Sequence, residues 1–464
     1  MVKELEKNMY NGRRCFIVAS GPSLAYKDLS FLKEEVVIAL NLSILTLDLF
    51  GIKPQFNIIA DRYQYINFKD IYEKLTFNTF VKKIIVASAC DTFPSDLKDE
   101  NTHFFPIKLQ QEKADFSVDI NKGFARGKTV AFDAIQLAYY LGFKEVYILG
   151  MDMTVKHDWG KNGHAYEIHK NKNFPNVKFP TGDSNEIKRG LPGHPEYTSQ
   201  IESCMQLAKD KFRESGKEVF NDSRSNLEIF QRIDILRKFG NIQKVIAFVP
   251  AKGTSSRISS KNIKILGNKP LFLHILDTLL ECYTIDEVYL DTESEEVFSL
   301  AKGRGHKEFK RDLRLATNNT DGNVLLLNEA SFINADIYVQ ALPTAPFLSA
   351  EVIDEAVFTL MTSKKNDSLF TVKKERLYSW SRDLKPSYNP LKIPNSNTIE
   401  ETFIETMGLY VIKRETLLER KSRIGKNPIL FSIPLIETID INTPEDFYFA
   451  EIVAKGKEVI NEKL

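Results

Sequence analysis

Residues 244–270 read KVIAFVPAKGTSSRISSKNIKILGNKP. An apolar, β-branched run, Val245–Val249, passes directly into a loop of Gly, Thr and Ser that carries Lys252, Arg257 and Lys261. This is the pattern of a buried parallel strand whose carboxyl end opens onto a ligand. Backbone N–H groups of such a loop face an anion and the cations neutralise it, so a polyphosphate is the expected guest. The GxxxxGK[ST] spacing is missing, which excludes a Walker-type loop. Downstream, Glu287–Thr292 (EVYLDT), Ala335–Ala341 (ADIYVQA), Ser368–Lys373 (SLFTVK) and Gly408–Lys413 (GLYVIK) continue the strand series. Upstream, a separate series reads Arg14–Ser20 (RCFIVAS), Val36–Leu40, Phe56–Ala60, Lys83–Ser88 and Glu145–Gly150 (EVYILG), with helical patterns over Thr129–Leu141, Glu196–Glu214 and Asn226–Phe239.

Strands alternating with helices predict two Rossmann-like α/β domains in tandem, each a mostly parallel sheet flanked by helices. The Gly/Asn break at Phe239–Gln243 divides them into residues 1–240 and 243–464. His157–Gly193 and Lys385–Thr398 are polar, Gly-, Asn- and Pro-bearing insertions, of the kind that form lids or are disordered. The charges nearly cancel, 63 Lys+Arg against 62 Asp+Glu, which removes the basic footprint of a general nucleic-acid binder. No apolar run approaches the ~20 residues of a membrane span. The opening MVKELEKNMYNGRRC has no apolar core of the secretory kind, and the four cysteines form no CxxC pair. A cytoplasmic protein without a zinc site or a disulfide framework is expected.

The loop after Val249 resembles the opening signature of the CMP-sialic acid synthetases (acylneuraminate cytidylyltransferases), approximately PARGGSKRIPGKN. Arg311 with Leu315-Ala316 (RDLRLA) is similar to the family's RPxELA, Pro343–Leu348 (PTAPFL) to QPTSPL, and Ile439–Phe447 (IDINTPEDF) to IDIDTxEDF. Glu405–Tyr410 and Ser422–Pro428 match the stretch that shapes the sugar-acid pocket. The resemblance spans 244–464. It implies attack of the anomeric hydroxyl of a nonulosonic acid on the α-phosphate of CTP, giving a CMP-sugar and pyrophosphate, and the family commonly pairs as homodimers. Lys252, Arg257 and Lys261 would hold the triphosphate, with Gly253, Ser255 and Asn262 lining the loop and Arg311 near the nucleotide. Asp440 would hold Mg²⁺. The sequence departs from the family at three places: Lys252 replaces an arginine, Asn442 the second aspartate of IDID, and Leu342 a glutamine. Asp440 also reads as an acid ahead of a helix whose N-cap is Thr443.

In the first half, ASGPSL (Ala19–Leu24) follows a strand. Gly21 permits close approach, and Ser23 suits either a structural turn or a phosphate. The element resembles the GNGPSL signature of bacterial sialyltransferases of glycosyltransferase family 42 and of the motility-associated flagellin-modifying factors. Asn41 falls where those enzymes read the donor, and Asp61 in ADRYQY follows the motility-associated pattern. Gly123–Met153 resembles their glycine turn and helix, with Gly127 and Thr129 suited to a phosphate at a helix N-terminus. GHPEY is similar to the segment that opens a helix. The resemblance covers about 14–232 and implies transfer of the sugar from CMP to a glycan or protein acceptor. His194 would be the general base, His164 its competitor, and Tyr166 a lid residue. Asp152 suits a ribose or a structural role.

The two halves thus share one metabolite. Two rivals stand beside this reading. Relatives of the motility-associated group include pterin diphosphokinases, in which Asp61 and Asp152 would hold metal and His194 would have no role. Alternatively, one half is a non-catalytic partner domain, for which Asn442 is the warning.

Overall fold

The computed structural model describes residues 5–60, 62–76, 81–87, 101–108, 115–127, 129–152, 165, 174, 195–222, 225, 227–240, 242–254, 258 and 260–461. The chain divides into two compact units, Met1–Ile242 and Gln243–Leu464.

In the first unit eight strands form one sheet: β1 (Arg14–Val18), β2 (Val37–Leu40), β3 (Phe56–Ile59), β4 (Lys82–Ala87), β5 (Thr102–Pro106), β6 (Glu145–Leu149), β7 (Glu218–Asp222) and β8 (Gln231–Ile233). Their order is β5-β4-β3-β2-β1-β6-β7-β8, and neighbouring strands run parallel throughout. The central strands are mostly apolar, as in FIV and VIAL, because both faces are covered. Cys15 and Ile17 point into one core, with Ile38 and Ile148; Phe16 and Val18 point into the other, with Tyr147 and Leu149. The longer helices are α1 (Val130–Tyr140) and α2 (Pro195–Glu214). They meet in the first core through Phe132, Ile135, Met205 and Phe212. The chain reverses direction across the sheet between β1 and β6, so the loops after these two strands flank the crevice in which open α/β sheets take ligands.

The helix predicted over 226–239 is not continuous. Gln231–Ile233 adds an edge strand to β7, and only Ile235–Phe239 is helical. The break falls at Asp234, whose Oδ1 accepts from the Arg237 N–H at 2.9 Å and caps a new helix start.

The second unit holds β9 (Val245–Pro250), a small β10 (Ile265–Leu266) and β11 (Lys269–Pro270) hairpin, β12 (Glu287–Thr292), β13 (Lys307–Lys310), β14 (Ile337–Ala341), β15 (Ser368–Glu375), β16 (Thr402–Lys413) and β17 (Pro428–Ser432). The main sheet is ordered β13-β12-β9-β14-β16-β15-β17. It is parallel except around β16, which is antiparallel to both β14 and β15. Here the reversal lies between β9 and β14, beside the loop that follows β9. Helices α3 (Leu271–Glu281), α4 (Gly322–Phe332), α5 (Ala350–Thr362) and α6 (Pro444–Asn461) cover the faces. No helix among the described residues is long and apolar enough to cross a membrane.

Candidate functional sites

In the second unit, the loop after β9 is held from three sides. The Lys252 ammonium donates to Asn318 Oδ1 at 2.6 Å. Gly253 N–H donates to Glu293 Oε1 at 2.8 Å, and the Asn262 amide donates to the Lys252 carbonyl at 2.8 Å. A Cβ on Gly253 would stand 2.7 Å from that of Ser294, so this backbone fits against β12's end only without a side chain. Lys261 is 8% exposed and donates to the Ile441 carbonyl at 2.8 Å, which ties the loop to the Asp440 segment. Ser255 and Arg257 lie outside the described residues.

Asp440 is not needed by the helix that follows it. Thr443 Oγ1 accepts from the Asp446 N–H at 3.2 Å, and Asp446 Oδ2 accepts from the N–H groups of Asn442 and Thr443 at 2.9 and 2.7 Å. That reciprocal cap satisfies the start of α6 by itself. Asp440 Oδ2 accepts a hydrogen bond from the Asn442 amide, while its Oδ1 is buried with no hydrogen-bond partner among the described residues. An orphaned buried carboxylate oxygen is costly unless something occupies it. Among the described residues no cluster of three His, Cys, Asp or Glu side chains is placed to hold a metal. Asp440 therefore fits a cation whose other ligands come from phosphates and water, the habit of Mg²⁺.

Arg311 stands beneath the loop. It is 4% exposed, and its Nε and Nη2 engage Asp291 at 2.5–3.1 Å. Its Nη1 lies 3.9 Å from Glu293 Oε2. It connects to the loop through Glu293, which accepts from the Gly253 amide. Glu329, fully buried on α4, lies against the same pair. Burial first, then the Asp291 carboxylate beside it, push the Glu329 carboxyl well above the usual range, so it is neutral and has a hydrogen to donate. A folded-state pKa above the unfolded one means this contribution is present at low pH and is lost as pH rises beyond the unfolded value. Glu329→Gln, which keeps a donor and removes the titration, is expected to raise the second unit's melting midpoint at pH 8. It should also flatten its decline between pH 5 and 9, read by thermal melts across that range.

Sequence reasoning missed Asp291, Glu293 and Glu329. The signal available was an acidic residue ending an otherwise apolar strand (EVYLDTE). It also missed Gln340, a buried polar residue inside β14.

In the first unit, the carboxyl ends of β2, β1 and β6 bring Asn41, Gly21, Ser23 and Asp152 to the crevice. Gly21 N–H donates to the Gly150 carbonyl at 2.8 Å, and a Cβ there would stand 2.3 Å from that oxygen. Ser23 donates through its N–H to Asp152 Oδ2 at 2.8 Å and through its hydroxyl to Oδ1 at 2.5 Å. The turn is thereby clamped to the end of β6. Asn41 takes a left-handed backbone (φ +49°), and its side-chain oxygen is buried without a partner among the described residues. Gly127 is required by packing, since a Cβ would come within 2.0 Å of the Phe132 ring. Thr129 caps α1, accepting from the Ala131 N–H at 3.4 Å. His194, His164, Asp61, Tyr166 and most of the 157–193 insertion lie outside the described residues.

Two family models match the chain. One, described as cytidylyltransferase, covers residues 246–425; the other, described as 6-hydroxymethylpterin diphosphokinase MptE-like, covers 1–158. A CMP-N,N'-diacetyllegionaminic acid synthase of Legionella pneumophila is 25% identical over 223 residues, 45% of this chain and 95% of that protein. An N-acylneuraminate cytidylyltransferase of Escherichia coli is 24% identical over 224 residues, 46% of this chain and 53% of its own length. A pseudaminic acid cytidylyltransferase of Campylobacter jejuni is 24% identical over 239 residues, 46% and 97% of the two chains. The carboxy-terminal domain resembles these synthetases, and the amino-terminal half resembles the MptE-like family.

Proposed function

We propose that the carboxy-terminal domain activates a nonulosonic acid of the sialic acid type with CTP, and that the amino-terminal domain transfers the sugar from CMP to a glycan or protein acceptor. The observation that carries the first half is the tie from the loop after β9 through Lys261 to Ile441, beside the orphaned oxygen of Asp440. In this reading Lys252, Arg257 and Lys261 neutralise the triphosphate, Gly253, Ser255 and Asn262 shape its seat, and Arg311 sets Glu293 beneath it. The anomeric oxygen bonds to the α-phosphorus as the bond to the bridging oxygen breaks; pyrophosphate leaves and the hydroxyl proton passes to water. Mg²⁺ held by Asp440 and the phosphates would supply charge neutralisation at the reacting phosphorus. Leu384, Leu391 and Ile393, on the excursion between β15 and β16, are 79%, 95% and 68% exposed. Their exposure supports a homodimer formed through this domain.

For the first domain, the donor would sit at the crevice of Gly21, Ser23 and Asn41, with Asp61, Gly127, Thr129 and Tyr166 around it and His194 as base. The unpartnered Asn41 oxygen supports this, since it suits an amino or hydroxyl hydrogen of a nucleotide. The match to the MptE-like family favours a second reading, a metal-dependent diphosphokinase with Asp61 and Asp152 as ligands. Both Asp152 oxygens already accept from Ser23, which counts against it. The test is CMP release from supplied CMP-N-acetylneuraminic acid, for wild type and His194→Ala. Release that persists in chelator and is lost in the variant supports transfer. Diphosphate transfer from ATP that requires metal and ignores His194→Ala supports the second reading.

A further inference from the structure

Arg423 is nine-tenths buried, yet among the described residues no carboxylate comes within ion-pair distance of it. Its guanidinium lies 3.5 Å over the Tyr410 ring, donates from Nη1 to Gln340 Oε1 at 2.8 Å, and interacts with the Tyr410 hydroxyl. A guanidinium carries five N–H donors in a planar fork, and these neutral partners among the described residues leave room for a bidentate acceptor. Burying such a charge unpaired is expensive, and the fold goes to some length to do it. Gln340, fully buried on β14, is oriented by donating to the Gly322 carbonyl at 3.0 Å. Gly322 itself has no room for a side chain: a Cβ would fall 2.2 Å from Arg423 Nη1. The Arg423 backbone N–H is fixed by Asn323 Oδ1 at 2.9 Å, and the turn that follows is pinned where Gly425 N–H donates to Ser368 Oγ at 2.8 Å.

The ring that the guanidinium covers links it to the Asp440 segment. Tyr410 pairs with Gln340 across β14 and β16, and the Asp440 carboxylate is among the charges acting on its hydroxyl. Glu405 and Asp321 act on Arg423 only at longer range, and desolvation, the larger effect, holds its pKa below the usual value. Lys252 and Lys261, which the proposed reading assigns to the phosphates, belong to the separate loop after β9.

We infer that Arg423, set by Gln340, Tyr410 and Gly322, is the residue that binds the carboxylate of the sugar acid. The inference rests on the proposed cytidylyltransferase reading and deepens it. A planar bidentate acceptor matches the free fork, and it returns to Arg423 the counter-charge that the fold withholds.

The test measures binding, to the full-length protein, of unreactive 2-deoxy analogues of several nonulosonic acids and of their C1 methyl esters, alongside CTP. Arg423→Gln and Arg423→Lys are compared with wild type, and thermal melts check folding. The expected result is that wild type binds at least one acid about thirtyfold more tightly than its ester. That preference should vanish in Arg423→Gln and recover in part in Arg423→Lys, with CTP affinity within about twofold throughout. Should Arg423→Gln fail to fold, the lysine variant and the acid-to-ester ratio of wild type still decide. Equal binding of acid and ester by wild type, no binding of any acid, or a loss of CTP affinity matching the loss of acid affinity overturns the assignment. Acid preference without any CMP-sugar formation would leave the carboxylate site standing and remove the cytidylyltransferase reading instead.

Discussion

Asp440→Asn is expected to lower CMP-sugar formation by a factor on the order of 10²–10³ while leaving the fold intact. The fold survives because the retained side-chain oxygen still accepts from the Asn442 amide, and because the α6 cap is built from Thr443 and Asp446 alone. The chemistry fails because the orphaned oxygen loses the negative charge that a hard cation needs, and Asn442 offers no second carboxylate to replace it. Initial rates of pyrophosphate release at saturating CTP, with melting curves of both proteins, check this. A melting midpoint within about 2 °C of wild type and a rate unmoved by extra Mg²⁺ are the expected pair. A variant retaining more than a tenth of wild-type rate would place the metal elsewhere.

The second large effect is on stability. Arg311→Met leaves Asp291 buried and uncompensated, and breaking a buried pair this way costs about 3–5 kcal/mol. At roughly 2–4 °C per kcal/mol for a domain of this size, the second unit's melting midpoint should fall by about 6–20 °C, with the first unit's transition unmoved. Adding Asp291→Leu should recover most of that loss, since an apolar pair of similar volume can replace a buried ion pair nearly neutrally. Recovered stability should not bring back full activity, because Glu293 has then lost the guanidinium that steadies it beneath Gly253. Stability unchanged by Arg311→Met would show that the buried pair contributes nothing net.

Much of the architecture was legible because central parallel strands are apolar on both faces. RCFIV and VIAFV read as strands without any context, and Thr129 and Pro195 marked helix starts to within a residue. Edge strands were not legible. THFFP is short with half-buried Thr102 and His103, QRI carries exposed Gln231 and Arg232, and in QRI's case a helical pattern continued across it until Asp234 started a new cap. The charged loop residues Lys252 and Lys261 were visible in the sequence, and the structure places both in the loop after β9. Their supports were not, because Glu293, Glu329 and Gln340 come from distant elements whose convergence only the sheet order reveals. Arg311 illustrates the limit: the resemblance put it near the nucleotide, and the structure shows it buried against Asp291, a pairing that the sequence did not reveal.

The account's central claim is that the second domain links a nonulosonic acid to CMP. The measurement that tests it most directly is mass-spectrometric detection of products from the full-length protein with CTP, Mg²⁺ and a panel of sialic, legionaminic and pseudaminic acids. The account predicts a CMP-sugar from at least one acid, with one pyrophosphate released per conjugate. If CTP binds and no acid on the panel yields a conjugate, the domain is a nucleotide-binding partner and the claim is wrong.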